Sequence, residues 1–339
     1  MIRKAVQNLI DGKALTREET YSALTDIMSG NATDAQIGAF LTALRIQGET
    51  PDVIAGAAQA MRENMVKIRC DDPQAVDIVG TGGDGAHTFN ISTTAAFVTA
   101  GAGVTVAKHG SYGVSSKCGA ANVLSELGIN IQYTPQRMEA CLSKIGIAFL
   151  FAPTLHPAMK YAIGPRKELE FWSLFNILGP LCNPAGVKKG ILGVFKPELV
   201  PIVADACAQL EMNYQFIVHG NDGLDELTTT TTTLVTEIRR GKVESYEVQP
   251  TGLGFAPATA ADLLGGEPAE NAAITRAILS GTEKGPKRDI VLLNAAFAIM
   301  AAGKADSPKD GITAAAESID SGAALKKLEQ LASLSQQTD

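Results

Sequence analysis

The fold is decided by residues 75–84, AVDIVGTGGD, and 104–116, VTVAKHGSYGVSS, with a small, apolar stretch from Ser92 to Ala102 between them. Ala75 to Val79 is apolar around one aspartate and runs into Gly80-Thr81-Gly82-Gly83-Asp84, which reads as a buried strand followed by a tight loop. Ser92 to Ala102 has the composition of a buried helix, and Val104 to Ala107 reads as the next strand, followed by Lys108-His109-Gly110. Strand, helix and strand in this order make a parallel crossover, right-handed by the packing of twisted strands. The loops after both strands then leave the same carboxyl edge of the sheet, where ligands of open α/β sheets bind.

Further strands are predicted at Gly190 to Phe195 and Gln215 to Val218. Phe171 to Pro184 reads as a helix broken at Gly179-Pro180 that can cover a cleft, and the threonine run 228–233 as an exposed strand. Upstream of Asp71-Asp72-Pro73 the texture is helical only. Thr16 with Glu19 and Thr33 with Gln36 are capping-box pairs, Thr50 precedes proline at a first helical position, and Gly30 and Gly48 read as stops. The predicted class is α/β: a small all-helical N-terminal domain plus a large α/β domain with a central, mostly parallel sheet.

The chain has 339 residues, 45% hydrophobic and 19% charged, which excludes a disordered polymer and suits about two domains. Its formal net charge of −7 provides no global positive field for nucleic acid or an anionic membrane. Five cysteines without CxxC spacing predict reduced thiols and a cytoplasmic setting. The N-terminal MIRKAVQNLIDGK lacks the apolar run of a signal peptide, and Ile290 to Ala302 is shorter than the ~20 residues of a membrane span, so it reads as a buried helix.

Four motifs carry chemistry. The glycines of GTGGD let backbone N–H groups approach a phosphate, and Asp84 suits ribose hydroxyls or a metal; the same glycines also suit an ordinary tight turn. Asn90-Ile91-Ser92-Thr93 opens a helix, where hydroxyls cap and N–H groups with the helix dipole bind an anion. Lys108 to Ser116 combines a lysine, hydroxyls and glycines after a strand, which equips it for a diphosphate, although a lone lysine is also a common solvated residue. Asn221-Asp222-Gly223-Leu224-Asp225-Glu226 follows a strand, and its carboxylates either decorate the surface or hold Mg²⁺ against a diphosphate. His87, His156 and His219 show no metal-ligand spacing, and no GxSxG elbow or cysteine context supports covalent catalysis.

GTGGD, NIST, KHG followed by VSSKCG, and DGLDE, in this order and joined by HPAMKYAIGPRKEL and FNILGPLCNPAG, closely resemble the anthranilate phosphoribosyltransferases of tryptophan biosynthesis over nearly the whole chain. The resemblance implies the nucleoside phosphorylase/phosphoribosyltransferase type of fold. A helical domain of residues 1–70, joined by about 171–187, would pack on an α/β domain of 71–170 and 188–339, with a homodimer formed through the helices. It implies transfer of phosphoribose from phosphoribosyl pyrophosphate (PRPP) to the amine of anthranilate, releasing pyrophosphate, with Mg²⁺ as cofactor.

By position it assigns Gly80, Gly83, Asp84, Thr88, Asn90, Ile91, Ser92, Thr93, Lys108, His109, Gly110, Ser111, Tyr112, Gly113, Val114, Ser115, Ser116 and Ala120 to PRPP. Gly80, Ser111 and Arg166 fall on the anthranilate side, and Ser92, Asp225 and Glu226 on magnesium. No residue is assigned as general base or nucleophile, because an aromatic amine needs little help to attack. The chain departs from the pattern at Ser111, where asparagine is usual, at Tyr112 and Ala120, and at Glu170 and Trp172, which replace a glycine and a basic residue. Two alternatives follow: a phosphoribosyltransferase for another aromatic acceptor, and a non-catalytic relative that binds nucleic acid.

Overall fold

A computed structural model describes residues 1–113 and 117–337. Four helices come first: α1 (Ile2–Ile10), α2 (Arg17–Met28), α3 (Asp34–Gln47) and α4 (Pro51–Glu63). Thr16 and Thr33 form reciprocal capping boxes with Glu19 and Gln36, and Thr50 caps α4 ahead of Pro51. Each satisfies N–H groups that a helix start leaves without partners. Ile27, Phe40, Leu41 and Ile54 are fully buried in the core that these helices share.

The α/β part then follows as β1 (Asp77–Gly80), α5 (Ile91–Gly101), β2 (Val106–Gly110), α6 (Ala120–Glu126), α7 (Pro135–Ile145), β3 (Ile147–Phe151) and the single-turn α8 (Ala152–Leu155). Next are α9 (Lys160–Leu169), α10 (Leu174–Leu181), β4 (Lys189–Gly193), α11 (Leu199–Gln209) and β5 (Tyr214–Gly220). The chain ends with the hairpin β6 (Thr233–Arg239) and β7 (Lys242–Val248), then α12 (Pro268–Leu279), α13 (Pro286–Ala301), α14 (Pro308–Asp320) and α15 (Ala323–Ser335). Among the described residues no helix is long and apolar enough to cross a membrane; the apolar stretch at 290–302 lies almost wholly in the buried α13.

The main sheet has the order β1-β4-β5-β6-β7, parallel from β1 to β5 and antiparallel across the hairpin. Side chains alternate between its faces. Ile191, Phe216 and Val218 face a core with Phe97 and Phe297, while Leu192 and Ile217 face the core shared with the N-terminal helices. Covering both faces is why β5 is apolar almost throughout. Burial of each such side chain stabilises by roughly 1.5–3 kcal/mol.

Several expectations are corrected. The strands holding AVDIV and VTVAKHG are parallel neighbours but share only the bridge Val76–Val106; β2 pairs fully with β3 in a separate two-stranded sheet. Lys108, His109 and Gly110 belong to β2 itself, so the first two are buried strand residues and not loop residues. The helix expected to break at Gly179-Pro180 runs through both and ends at Leu181. The strand expected over the threonine run begins only at its last residue, Thr233, which opens β6; Thr228 and Thr229 are buried ahead of it, and the Thr228 and Thr230 hydroxyls donate to the Asp222 carboxylate, which draws them away from a strand ladder. Both α9 and α10 lean on the N-terminal helices, α9 on α2 and α3 and α10 on α3 and α4.

Candidate active site

The helix α5 is built of small, apolar and hydroxyl residues and is buried from Thr93 to Ala100, which places its N-terminus at the carboxyl ends of β1 and β2. Asn90, its N-cap, does not cap it: the side chain donates to the Cys118 carbonyl at 3.0 Å and accepts from Asn271 at 3.1 Å. That tethers the GTGGD side of the site to the segment ahead of α6.

A cavity of about 520 Å³ opens here. Gly80, Gly83, Asp84, Thr88, Asn90, Ile91 and Ser92 line it from the β1–α5 connection, and Lys108, His109, Gly110, Ser111, Tyr112, Gly113 and Ala120 from β2 to α6. Asp225 and Glu226 close it from beyond β5, and Arg166 from α9. Thr93 lies apart, buried against a separate small void with Phe97, Leu124 and Phe149. Val114, Ser115 and Ser116 lie outside the described residues.

The acidic pair is not on an exposed loop. Glu226 is buried and Asp225 half-buried, because Gly80 and Gly193 let the segment press against the sheet. A Cβ on Gly80 would collide with the Asp225 carboxylate, and one on Gly193 with its backbone carbonyl. Asp225 Oδ2 accepts the Gly82 N–H at 2.7 Å. Burial pushes the Asp225 carboxyl up to about 7; Asp84 beside it adds to the rise and Gly82 opposes it. Burial and Asp225 also raise Glu226, against which Lys108 and the Ser92 backbone N–H act. Crowded carboxylates beside one lysine are suited to a cation arriving with a polyanion, and among the described residues no three acidic, histidine or cysteine groups form a ready cage.

Lys108 is 4% exposed, and burial lowers its pKa while Asp77, Glu226 and Asp225 hold it up. Asp77 was not singled out by its sequence, nor were His156 and Asn183. His109 Nδ1 donates to the Gly179 carbonyl at 3.1 Å, so neutral His109 accepts at Nε2 from His156 Nε2 at 3.2 Å. Burial pushes His156 down to about 4 and His109 well below its ordinary value. Both line the cavity as neutral, polar rings. Arg166 is half-buried and stacks over Phe175 of α10 at 5.2 Å, which orients its guanidinium at the cavity wall. Trp172 packs on Phe195 at 4.9 Å and borders Gly83, whose φ of 93° suits glycine.

These features can hold a diphosphate at the sheet edge and an anionic, planar partner near Arg166 and the histidines. The a/b domain of a glycosyl transferase family matches residues 72–325, and the helical bundle domain of a glycosyl transferase family matches residues 3–65. The chain is 52% identical over 331 residues to an anthranilate phosphoribosyltransferase of Desulfosudis oleivorans, covering 98% of each. It is 50% identical over 348 residues to that of Geobacter sulfurreducens, covering 98% of this chain and 99% of the relative. The crystal structure of anthranilate phosphoribosyltransferase from Thermus thermophilus matches with a TM-score of 0.93 at 40% identity, over 98% of this chain and 99% of that one. The Saccharomyces cerevisiae enzyme in complex with PRPP and Mg matches with a TM-score of 0.91 at 31% identity, over 98% and 97%. With both domains matched and half of all residues shared with such relatives, the chain belongs to the anthranilate phosphoribosyltransferase family.

Proposed function

We propose that the chain transfers the phosphoribosyl group of PRPP to the amine of anthranilate, giving N-(5-phosphoribosyl)anthranilate and pyrophosphate, the second step from chorismate to tryptophan. The observation that carries this reading is the convergence of the connections after β1, β2 and β5, together with Arg166, on one cavity. The bond from the anomeric carbon to a pyrophosphate oxygen breaks, the bond from that carbon to the amine nitrogen forms, and the amine proton leaves to solvent. Positive charge grows on the sugar and negative charge on the departing diphosphate, so preorganised donors act where charge develops.

Gly80 to Asp84, Thr88, the start of α5 and Lys108 to Gly113 seat the donor, with Lys108 as the fixed positive charge at its floor. Bound Mg²⁺ supplies charge neutralisation to the diphosphate, and Asp225 and Glu226, with Ser92 beside them, would hold it. Arg166 takes the anthranilate carboxylate by its fork, while Gly80 and Ser111 border the acceptor. The neutral aromatic amine attacks without a general base. We also infer a homodimer through the helical part, supported by Ile10 and Ile46, 68% and 83% exposed on α1 and α3; sedimentation at twice the 35.4 kDa chain mass is the expected result.

The test is fluorescence. Protein with PRPP, Mg²⁺ and anthranilate should quench anthranilate emission, and unchanged emission from folded protein overturns the reading. A panel of substituted benzoates separates anthranilate from other acceptors. Nucleic-acid binding is disfavoured by the net charge of −7.

A further inference from the structure

Between β1 and β2 the ladder stops after one rung. Val76 N–H donates to Thr105 O at 2.9 Å and Ala107 N–H to Val76 O at 3.0 Å. In a continuing parallel ladder, Ile78 N–H would next reach Ala107 O, and His109 N–H would reach Ile78 O. Side chains take these groups instead. Asp77 Oδ1 accepts Ile78 N–H at 2.8 Å and His109 N–H at 3.2 Å, while Asn183 Nδ2 donates to Ala107 O and to Asp77 Oδ2, both at 2.8 Å. Asn183, just after α10, is itself held by Ala185 N–H on its Oδ1 at 2.9 Å.

We infer that Asp77, supported by Asn183, is a positioning residue: its carboxylate replaces the second rung between β1 and β2 and so sets the spacing of the two connections that embrace the diphosphate. The inference rests on the proposed function for what occupies that space. Neither side chain lines the cavity, but the residues on either side of the wedge do: Val79 and Gly80 after Asp77, and Lys108 and His109 across from it. Both are buried, with Asp77 5% exposed. Ile78 N–H, His109 N–H and Asn183 Nδ2 donate to the carboxylate; burial raises its pKa, and the nearby buried Lys108 and these donors oppose that rise. A wedge of neutral amide would open the same gap without that balance, and a missing Asn183 would leave Ala107 O and Asp77 Oδ2 unpartnered.

The experiment compares wild type, Asp77→Asn and Asn183→Ala by steady-state kinetics and by calorimetric titration with PRPP and Mg²⁺. The expected result in both folded variants is a rise in KM and Kd for PRPP on the order of tenfold, with KM for anthranilate within about twofold of wild type. Equal rises in both KM values, no rise in either, or loss of fold in both variants would overturn the wedge. Wild type that binds PRPP but ignores anthranilate would sink the proposed acceptor, and the PRPP titrations would still decide the wedge. Wild type that binds no PRPP would overturn both.

Discussion

Gly82 N–H donates to Asp225 Oδ2 at 2.7 Å, tying the loop after β1 to the loop after β5 across 143 residues of sequence. The bond holds one carboxylate against the loop proposed to seat the diphosphate, at the same place where Asp84 repels it. The proposed role of the carboxylate and the stability of the fold are therefore opposed at this position.

The double variant Asp225→Asn with Glu226→Gln separates the two. Asn keeps an acceptor for Gly82 while removing charge, so the crowding against Asp84 is relieved. Turnover at saturating PRPP should fall on the order of 100-fold across a Mg²⁺ titration, while the thermal midpoint stays level or rises. Wild-type rates at every Mg²⁺ concentration would refute the role of the pair.

Glycine matters here through close approach. A Cβ on Gly193 meets backbone, which cannot swing away, whereas one on Gly80 meets the movable end of Asp225. Gly193→Ala should cost about 1–3 kcal/mol in urea unfolding. Gly80→Ala should lose less stability and more kcat/KM, because the displaced group is the carboxylate itself. Equal stability losses in the two variants would contradict this reading.

The buried histidine pair predicts an acid limit. His156 is pushed from its ordinary value near 6.5 down to about 4. A folded-state value below the unfolded one gives stability that is complete above about pH 6.5 and is lost as pH falls toward about 4. From pH 7.5 to pH 5 the loss due to His156 alone is about 2 kcal/mol. His156→Gln keeps a donor toward His109 and removes the titration, so its urea-unfolding free energy should fall less over the same interval. An identical fall in variant and wild type would exclude the pair as the cause.

The sheet-edge arrangement was legible because strand, glycine loop and helix leave a local pattern in AVDIVGTGGD and in VTVAKHG. Long-range pairing leaves none. His109 meets His156 across 47 residues, and Asp77 meets Asn183 across 106, so neither pair has a spacing to read. The burial of Asp225 and Glu226 was hidden for another reason: adjacent carboxylates are ordinarily solvated, and only the bare faces of Gly80 and Gly193 allow them inside. Thr228 to Thr232 misled because β-branched residues favour strands, whereas here Asp222 accepts the Thr228 and Thr230 hydroxyls and the strand starts only at Thr233.

Trp172, the single tryptophan, offers an unlabelled report on the donor site. Its Cδ1 lies 3.1 Å from where a Cβ on Gly83 would stand, its ring is tilted on Phe195, and the Arg45 guanidinium lies 5.8 Å above it. The indole belongs to the segment leading into α10, on the helical side, while Gly83 belongs to the loop after β1 that is proposed to seat the diphosphate. A ligand that orders residues 82–84 must alter the indole's surroundings. PRPP with Mg²⁺ should therefore shift Trp172 emission saturably, with a midpoint equal to the PRPP Kd from calorimetry. Trp172→Phe should abolish the signal at little cost in stability, within about 1 kcal/mol, because the lost packing is offset by removal of a buried Nε1–H that has no hydrogen-bond partner among the described residues. Emission that stays constant while calorimetry shows PRPP binding would place the donor away from the Gly83 loop.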